Sequence, residues 1–390
     1  MPATIASPPL TARPLRCRSC GTERAAFPTA ICEQCLGPLD PVYEPGRRLP
    51  DRETIAGRAP SLWRYKEWLP FDGDPVWSLD TGFTPLVDAP ALARRFRVAR
   101  VWVKNDTVSH PSLSFKDRVV AAAINAAAAF GLETIGCAST GNLANAVAAH
   151  AARAGLKAWI FIPDELEAGK VIGTSVYGAR LVRVRGTYDD VNRLCAQVAD
   201  RFGWGIVNVN LRSYYGEGSK TVAYEIAEQL GWRLPTAVVA PMAGGSLLSK
   251  LRKGFGEFLD AGLVRGRLPR LYGAQAAGCA PIVRAFLAGA GHATPWADPE
   301  THASGLRVPG PLGDRLILRA LRESGGDAAA ASEDEIRSET LRLSRATGVD
   351  AAPEGGCALA VCSKLVRAGR LSHDSEVVIY NTGSGASYRF

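Results

Sequence analysis

The sequence predicts an α/β fold with mainly parallel sheets, because short apolar runs rich in β-formers alternate with helix-like runs along most of the chain. The predicted strands cover 101–104, 134–138, 158–162, 181–184, 205–209, 237–242 and 376–380, and helices are predicted at 115–130, 143–154 and 188–202. A glycine directly follows the second helix, as expected at a helix end. The stretch 328–331 is noted only as a cluster of alanines. A chain of 390 residues has room for two to three domains.

The composition is that of a globular protein, with 47% hydrophobic and 22% charged residues. Residues 1–14 lack the apolar core of a signal peptide, and the apolar run at 119–130 is too short to span a membrane. We therefore expect a cytoplasmic protein without a membrane partner. The net charge of +8 comes from scattered cations, which favours an anionic small molecule over nucleic acid.

Four cysteines near the N-terminus form two Cys-x-x-Cys pairs separated by eleven residues, namely Cys17, Cys20, Cys32 and Cys35. This spacing is typical of a zinc ribbon, in which four thiolates close a tetrahedral site and leave no position for a reacting water. We therefore predict a structural Zn²⁺ that holds this short segment together. The alternative is four thiols without metal.

A lysine stands at the predicted start of the first long helix, in Ser-Leu-Ser-Phe-Lys-Asp-Arg at 112–118. Partial burial and the positive end of the helix both disfavour the ammonium form of Lys116. A neutral amine is the form that attacks a carbonyl to make a Schiff base. Taken alone, the pattern is a weak signal, because a single lysine near a helix start is usually solvated.

Three further motifs follow predicted strands, and each is rich in small or polar residues. Ala-Ser-Thr-Gly-Asn at 138–142 and Ala-Gly-Gly-Ser at 243–246 each precede a helix, where free backbone N–H groups bind carboxylate or phosphate. Asn-Thr-Gly-Ser-Gly at 381–385 lets a flat ring approach the backbone, and the Thr382 hydroxyl can bond a pyridine nitrogen. Each motif alone fits a helix cap or a tight turn, but together they mark strand ends where α/β sheets bind ligands.

This ordered set resembles the fold-type II pyridoxal-phosphate (PLP) enzymes, and threonine synthase in particular. The resemblance begins near Gly82 in Thr-Gly-Phe-Thr-Pro-Leu and also includes Glu-Gly-Ser-Lys-Thr at 217–221 and Gly-Ala-Gln-Ala-Ala-Gly at 273–278. It implies two three-layer domains with parallel sheets, PLP in the cleft between them, and a homodimer. The predicted division is a zinc-ribbon segment at 1–50, a large PLP-binding domain at 51–125 and 235–390, and a small mobile substrate domain at 126–234.

The resemblance also assigns roles to individual residues. Lys116 would hold PLP as a Schiff base and move protons, Asn142 would bond the 3′-oxygen, and Thr382 would face the pyridine nitrogen. The implied cofactor-binding residues are Phe115, Lys116, Asn142, Gly244, Gly245, Ser246 and Thr382. The implied substrate-binding residues are Ser114, Ser139, Thr140, Gly141 and Arg212.

The implied reaction is that of a lyase which converts O-phospho-L-homoserine and water to L-threonine and phosphate. Two departures keep other activities open. The phosphate loop contains Gly244-Gly245-Ser246-Leu247, as in β-replacing and β-eliminating relatives, and the arginine that often precedes Glu-Gly is absent unless Arg212 substitutes for it. The alternatives are β-replacement or β-elimination on O-phosphoserine, serine or threonine and, from another class, a zinc-ribbon protein that binds nucleic acid.

Overall fold

The computed structural model describes residues 10–139, 141–164, 173–186 and 188–389. In chain order the strands are β1 (Thr11–Ala12), β2 (Leu15–Cys17), β3 (Glu23–Arg24), β4 (Leu39–Pro41), β5 (Phe71–Asp72), β6 (Leu86–Asp88), β7 (Arg100–Asn105), β8 (Thr134–Ala138), β9 (Lys157–Pro163), β10 (Arg180–Val184), β11 (Gly205–Ile206), β12 (Ala237–Pro241), β13 (Arg270–Ala276), β14 (Asp327–Ala331) and β15 (Glu376–Asn381). The helices are α1 (Arg52–Ala56), α2 (Pro90–Phe96), α3 (Lys116–Ala129), α4 (Asn142–Ala154), α5 (Tyr188–Phe202), α6 (Arg212–Glu217), α7 (Thr221–Gln229), α8 (Ser246–Asp260), α9 (Pro281–Leu287), α10 (Asp314–Glu323), α11 (Glu333–Thr347) and α12 (Pro353–Arg367). This alternation confirms the predicted α/β fold.

The chain divides into two compact units. The first contains the residues up to Gly82, His110–Ser112 and Lys116–Gly218, and the second contains Phe83–Ser109, Leu113–Phe115 and the chain from Ser219 onward. These limits differ from the predicted domain limits, and the predicted limit at residue 125 falls inside α3. The division into cofactor and substrate domains therefore stays a prediction.

The first unit contains a parallel sheet and a small antiparallel one. The parallel sheet has the order β10-β9-β8-β11, and the antiparallel sheet has the order β3-β2-β4. The helix α4 joins β8 to β9 and is capped by Gly155. The φ of this residue is 68°, a left-handed conformation that glycine adopts without strain because it has no β-carbon. In this arrangement the carboxyl end of β8 leads directly to the predicted ligand loop at 139–142.

The second unit is built on a six-stranded sheet with the order β14-β13-β12-β15-β7-β6, in which only the pairing of β6 with β7 is antiparallel. Alternate residues of β15 enter different apolar clusters: Val377 and Ile379 belong to one, and Val378 and Tyr380 to the other. Both faces of the sheet are therefore buried, which explains why its strands read as continuous apolar runs.

The strand at 134–138 and the helix at 188–202 agree with the prediction residue for residue. The strand predicted at 205–209 ends at Ile206 instead, because the Ile206 carbonyl accepts hydrogen bonds from the N–H groups of Val209 and Leu211 and turns the chain. The alanine cluster at 328–331 is part of β14, where it pairs with β13. Small side chains suit a buried strand, but their weak β-propensity concealed it.

Candidate active site and cysteine cluster

Lys116 is the first residue of α3, and the three residues before it are fixed by the turn that follows β15. The Phe115 N–H donates to the Thr382 carbonyl at 2.9 Å, and the Ser384 N–H donates to the Leu113 carbonyl at 2.9 Å. Ser114 is bridged to Gly383 in the same antiparallel pairing. The predicted residues Ser114, Phe115 and Thr382 thus lie together, and Lys116 is the next residue in the chain.

The start of α3 is also held from within by Asp117, which the sequence analysis left without a role. Its buried carboxylate accepts hydrogen bonds from the Ser112 N–H at 3.0 Å and the Ser112 hydroxyl at 2.7 Å. These bonds close a six-residue segment around Lys116. The sequence signal that could have identified Asp117 is an acidic residue in the first turn of a helix, a position where the helix dipole stabilises a negative charge.

The charge of Lys116 acts on the carboxyl-terminal half of β8. Burial raises the pKa of the Cys137 thiol and the nearby Cys195 adds to this, whereas the charge on Lys116 lowers it. Cys137 is in β8, the strand that leads into the loop at 139–142, so Lys116 contributes to the electrostatic surroundings of this strand.

The loop after β8 prepares the start of α4. Gly141 has a φ of 94°, which favours glycine, and Asn142 is the first residue of the helix. The Ser139 N–H donates to the Phe161 carbonyl at 3.3 Å. Thr140 lies outside the described residues. The Asn208 amide, which the sequence analysis missed, accepts from the Ala138 N–H at 3.2 Å and holds the strand end in place.

The glycine-rich loop after β12 leads into α8. Gly245 has a φ of 106°, and a β-carbon there would lie 2.6 Å from the Cα atom of Gly313. The Gly313 N–H in turn donates to the Gly244 carbonyl at 3.1 Å. A β-carbon on Gly244 would meet no atom within 4 Å. The loop thus has no space for a β-carbon at Gly245 but has space for one at Gly244. It leads into the N-terminus of the helix that begins at Ser246, and helix N-termini bind anions.

The turn after β15 is fixed by Asn381, the first residue of the motif at 381–385, to which the sequence analysis gave no role. Its side-chain amide donates to the Gly383 carbonyl at 3.0 Å and accepts from the Ala352 N–H at 3.2 Å. Thr382 between them is buried, with 8% of its surface exposed. The remaining predicted substrate residue, Arg212, is half-buried as the first residue of α6 in the first unit.

The four N-terminal cysteines converge as predicted. Their sulfur atoms all lie within 4.8 Å of one another, with 3.4 Å between Cys17 and Cys35 and 3.8 Å between Cys20 and Cys32. In a tetrahedral zinc site the Zn–S distance of about 2.3 Å requires sulfurs roughly 3.8 Å apart. The donor set and its spacing therefore fit zinc.

The thiols also influence one another electrostatically. Hydrogen bonding with the side chain and the backbone of Thr22 lowers the pKa of Cys20 to about 6. The backbone N–H of Gly37 lowers the pKa of Cys35, but the neighbouring Cys20 and Cys17 outweigh it and raise that pKa to about 12. A bound cation would favour the thiolate form of all four cysteines.

The first unit thus has an amine and a glycine-containing loop at helix starts, and the second unit has a glycine-containing loop at a helix N-terminus and a buried threonine turn. These are the kinds of group that an enzyme with a phosphorylated carbonyl cofactor requires. The family model described as pyridoxal-phosphate dependent enzyme matches residues 78–383. The chain belongs to this family. The residues fit the cofactor: Lys116 offers the amine in the first unit, and in the second unit the absence of a side chain at Gly244 leaves space beside the α8 N-terminus, where a phosphate would bind.

Within the family, threonine synthases are similar to this chain. The threonine synthase of Methanosarcina acetivorans is 33% identical over 371 residues, which is 95% of this chain and 91% of that protein. That of Methanocaldococcus jannaschii is 33% identical over 375 residues, or 95% and 92%. That of Synechocystis is 35% identical over 325 residues, or 82% and 81%.

Solved structures share the fold at lower identity. A fungal L-serine ammonia-lyase from Rhizomucor miehei superposes with a TM-score of 0.67 and 22% identity, covering 78% of this chain and 97% of that one. Maize serine racemase gives a TM-score of 0.64 and 21% identity, covering 77% and 89%. These likenesses place the chain among the fold-type II PLP enzymes by fold. Among the described residues, no helix is long and apolar enough to cross a membrane.

Proposed function

We propose that this chain is a PLP-dependent threonine synthase, a lyase that converts O-phospho-L-homoserine and water to L-threonine and phosphate. The observation that carries this proposal is the similarity to threonine synthases over nearly the whole chain. The position of Lys116 at a helix start supports it, because the positive end of a helix disfavours the ammonium form and the reaction needs a neutral amine.

The chemistry divides between the cofactor and the protein. When bound, PLP supplies an electron sink for the bonds at the substrate Cα. Lys116 would hold the cofactor at its aldehyde carbon and would then carry protons between Cα, Cβ and Cγ of the substrate. Asn142 would donate its amide to the cofactor's 3′-oxygen, and the Thr382 hydroxyl would bond the pyridine nitrogen without protonating it. Phe115, directly before Lys116, would lie beside the cofactor.

Two backbone sites bind the anionic groups. The N–H groups of Gly244, Gly245 and Ser246, at the start of α8, bind the cofactor phosphate. Ser139, Thr140 and Gly141, before α4, bind the substrate carboxylate in the same way. Neither site needs a buried cation, because the helix N-terminus already carries a partial positive charge.

Two further residues are assigned to the rest of the substrate. Arg212 binds the phosphate of O-phosphohomoserine, since a guanidinium matches phosphate geometry. Ser114, held beside Gly383, contributes a hydroxyl to the substrate side of Lys116. Arg212→Lys retains the charge but loses the bidentate geometry, so it should raise KM for the phosphorylated substrate more than it lowers kcat.

The Gly244-Gly245-Ser246-Leu247 loop supports a second candidate, β-replacement or β-elimination on O-phosphoserine, serine or threonine. A substrate panel separates the two activities. We expect phosphate and threonine from O-phosphohomoserine, and no pyruvate or 2-oxobutyrate from the other amino acids. Turnover of phosphoserine or threonine in place of O-phosphohomoserine would select the second candidate.

The decisive experiment combines this panel with Lys116→Ala. The wild-type protein should show the absorption band of protein-bound PLP and turn over O-phosphohomoserine, and the alanine variant should lose the band and the activity. Lys157→Ala, at an exposed lysine in the same unit, serves as control. A wild-type protein that binds PLP but leaves O-phosphohomoserine intact would refute threonine synthase while keeping the family.

For the cysteine cluster, we infer one structural zinc per chain, bound by Cys17, Cys20, Cys32 and Cys35. Metal analysis of the purified protein should give one equivalent of zinc, and Cys20→Ser should lose it. Cys279→Ser, a buried thiol outside the cluster, should keep it. Metal-free wild-type protein purified without chelator would contradict the inference.

The cytoplasmic location and the homodimer stay predictions drawn from the sequence and the family. Light scattering of the holoenzyme, which should give twice the mass of 41.4 kDa, tests the dimer.

A further inference from the structure

One buried histidine contacts the carboxylate that closes the segment around Lys116. The Nε2 atom of His150 lies 3.4 Å from Oδ1 of Asp117, and the two side chains are 4% and 0% exposed. Among the described residues this Nε2 atom has no hydrogen-bond partner, and Asp117 Oδ1 is the acceptor that lies beside it. A buried polar nitrogen without a partner is costly, so its position beside a carboxylate indicates a specific role.

The carboxylate of Asp117 needs more than Ser112 provides. The two donors on Ser112, its N–H and its hydroxyl, are both uncharged, and the carboxylate that they bond is fully buried. Removing a charge from water is strongly unfavourable unless further donors or charges offset the loss of hydration. The Nε2 atom of His150 is placed beside this carboxylate to supply such a donor through its N–H.

The pair also joins two helices that begin at candidate cofactor residues. Asp117 is in the first turn of α3 beside Lys116, and His150 is in α4, which begins at Asn142 and packs against α3. A shift of His150 would therefore change the position of α3 relative to α4. The placement of the amine of Lys116 relative to the amide of Asn142 depends on the same contact.

We propose that His150 is a positioning residue, which acts through Asp117 to hold Lys116 where it can bind the cofactor's aldehyde carbon. This inference depends on the proposed function in one respect, namely that PLP is attached to Lys116. The role is distinct from that of a catalytic base, because His150 touches Asp117 and acts on Lys116 only through it. The positioning role predicts that a protein without the His150 donor still binds the cofactor through its phosphate. A smaller fraction of the bound cofactor should then be attached to Lys116.

The test uses the holoenzyme of His150→Leu, with bound PLP measured first. Borohydride then fixes PLP to whichever lysine holds it, and peptide mass spectrometry gives the fraction of Lys116 that is modified. We expect PLP content close to wild type, a lower modified fraction at Lys116, and a kcat lower by roughly 10- to 100-fold with little change in KM. His150→Gln, which keeps an N–H donor, should restore most of both losses.

The controls separate this role from folding and from the proposed function. His302→Leu removes another histidine that contacts a carboxylate, that of Glu333 in the second unit, and should leave the modified fraction at Lys116 unchanged. A leucine variant at position 150 with wild-type modification of Lys116 and wild-type kcat overturns the assignment. If that variant does not fold, His150→Ala and His150→Gln are compared, and equal behaviour of those two overturns it. Failure of the wild-type protein itself to fix PLP at Lys116 would instead refute the proposed function.

Discussion

At the scale of single residues, the second unit depends on charged side chains that are completely buried. Lys104 Nζ lies 2.7 Å from the Glu225 carboxylate and donates to the Thr84 carbonyl at 2.5 Å. The same carboxylate accepts from the N–H groups of Phe83 at 2.7 Å and Thr84 at 3.1 Å. This explains the Thr-Gly-Phe-Thr-Pro-Leu motif in structural terms, because its backbone is fixed by a buried ion pair.

Replacing the cation of this pair should destabilise the protein strongly. Lys104→Met leaves the Glu225 carboxylate buried without its counter-charge, which costs about 3–5 kcal/mol of unfolding free energy. Urea unfolding of the holoenzyme measures the loss. Lys157→Met is the matched control, because Lys157 and Glu133 are 3.8 Å apart and 69% and 85% exposed, and their contribution should stay below about 1 kcal/mol. Equal losses in the two variants would contradict the prediction.

Glu354 provides a prediction about pH. Burial raises its pKa above the ordinary 4.5, although a hydrogen bond from the Tyr388 hydroxyl opposes the shift. The unfolded chain therefore loses this proton at lower pH than the native protein, so this group makes the protein less stable as pH rises from about 4.5 toward the raised native value. Relative to Glu354→Gln, which remains neutral, the wild-type unfolding free energy should fall over that interval.

Glu335 is the control with the opposite sign. Burial raises its pKa, but the hydrogen bond from Lys364, among other interactions, outweighs burial and the net pKa is lowered. Its stabilisation is present above the ordinary 4.5 and is lost as pH falls through the lowered value. Glu335→Gln keeps the capping box with Ser332, so the wild type should gain stability over this variant as pH rises. Parallel pH profiles for the two glutamine variants would refute the assignment.

At the scale of elements, the loop between β12 and α8 separates a structural requirement from a binding one. Gly245 needs its positive φ and has Gly313 against it, whereas Gly244 has open space where a side chain would begin. Gly244 therefore leaves the helix N-terminus accessible to a ligand, and Gly245 is required by the backbone conformation of the turn.

Alanine substitutions should separate these two requirements. Gly245→Ala should lower the unfolding free energy by about 1–3 kcal/mol, because an L-residue is strained at this φ and its β-carbon meets the backbone of Gly313. Gly244→Ala should leave stability almost unchanged but weaken PLP binding, since its methyl group occupies the open space. Denaturant unfolding without PLP and a PLP titration measure the two effects. Similar stability loss in both variants would show that the loop is not divided in this way.

At the scale of the whole molecule, cofactor binding should stabilise the native state. The native fold presents the lysine, the helix N-termini and the threonine turn, and the unfolded chain does not. Free PLP at one hundred times its Kd should therefore raise the unfolding free energy by about 2.7 kcal/mol by mass action. Thermal unfolding of the protein with PLP removed and then restored measures this shift. Pyridoxine lacks the aldehyde and the phosphate and should have almost no effect, and an equal effect would exclude the proposed attachment.

The sequence by itself determined the α/β class, the convergence of the four cysteines, the place of Lys116 at a helix start and the position of the three motifs at strand ends. These could be predicted because each depends on local chemistry: thiol spacing, apolar periodicity, and glycines next to helix starts. The tertiary structure alone decided which distant residues hold these motifs. Asp117 with His150, Asn208 with Ala138 and Asn381 with Ala352 are contacts whose partners are set by packing, and a polar residue in a sequence does not reveal its partner before the chain is folded.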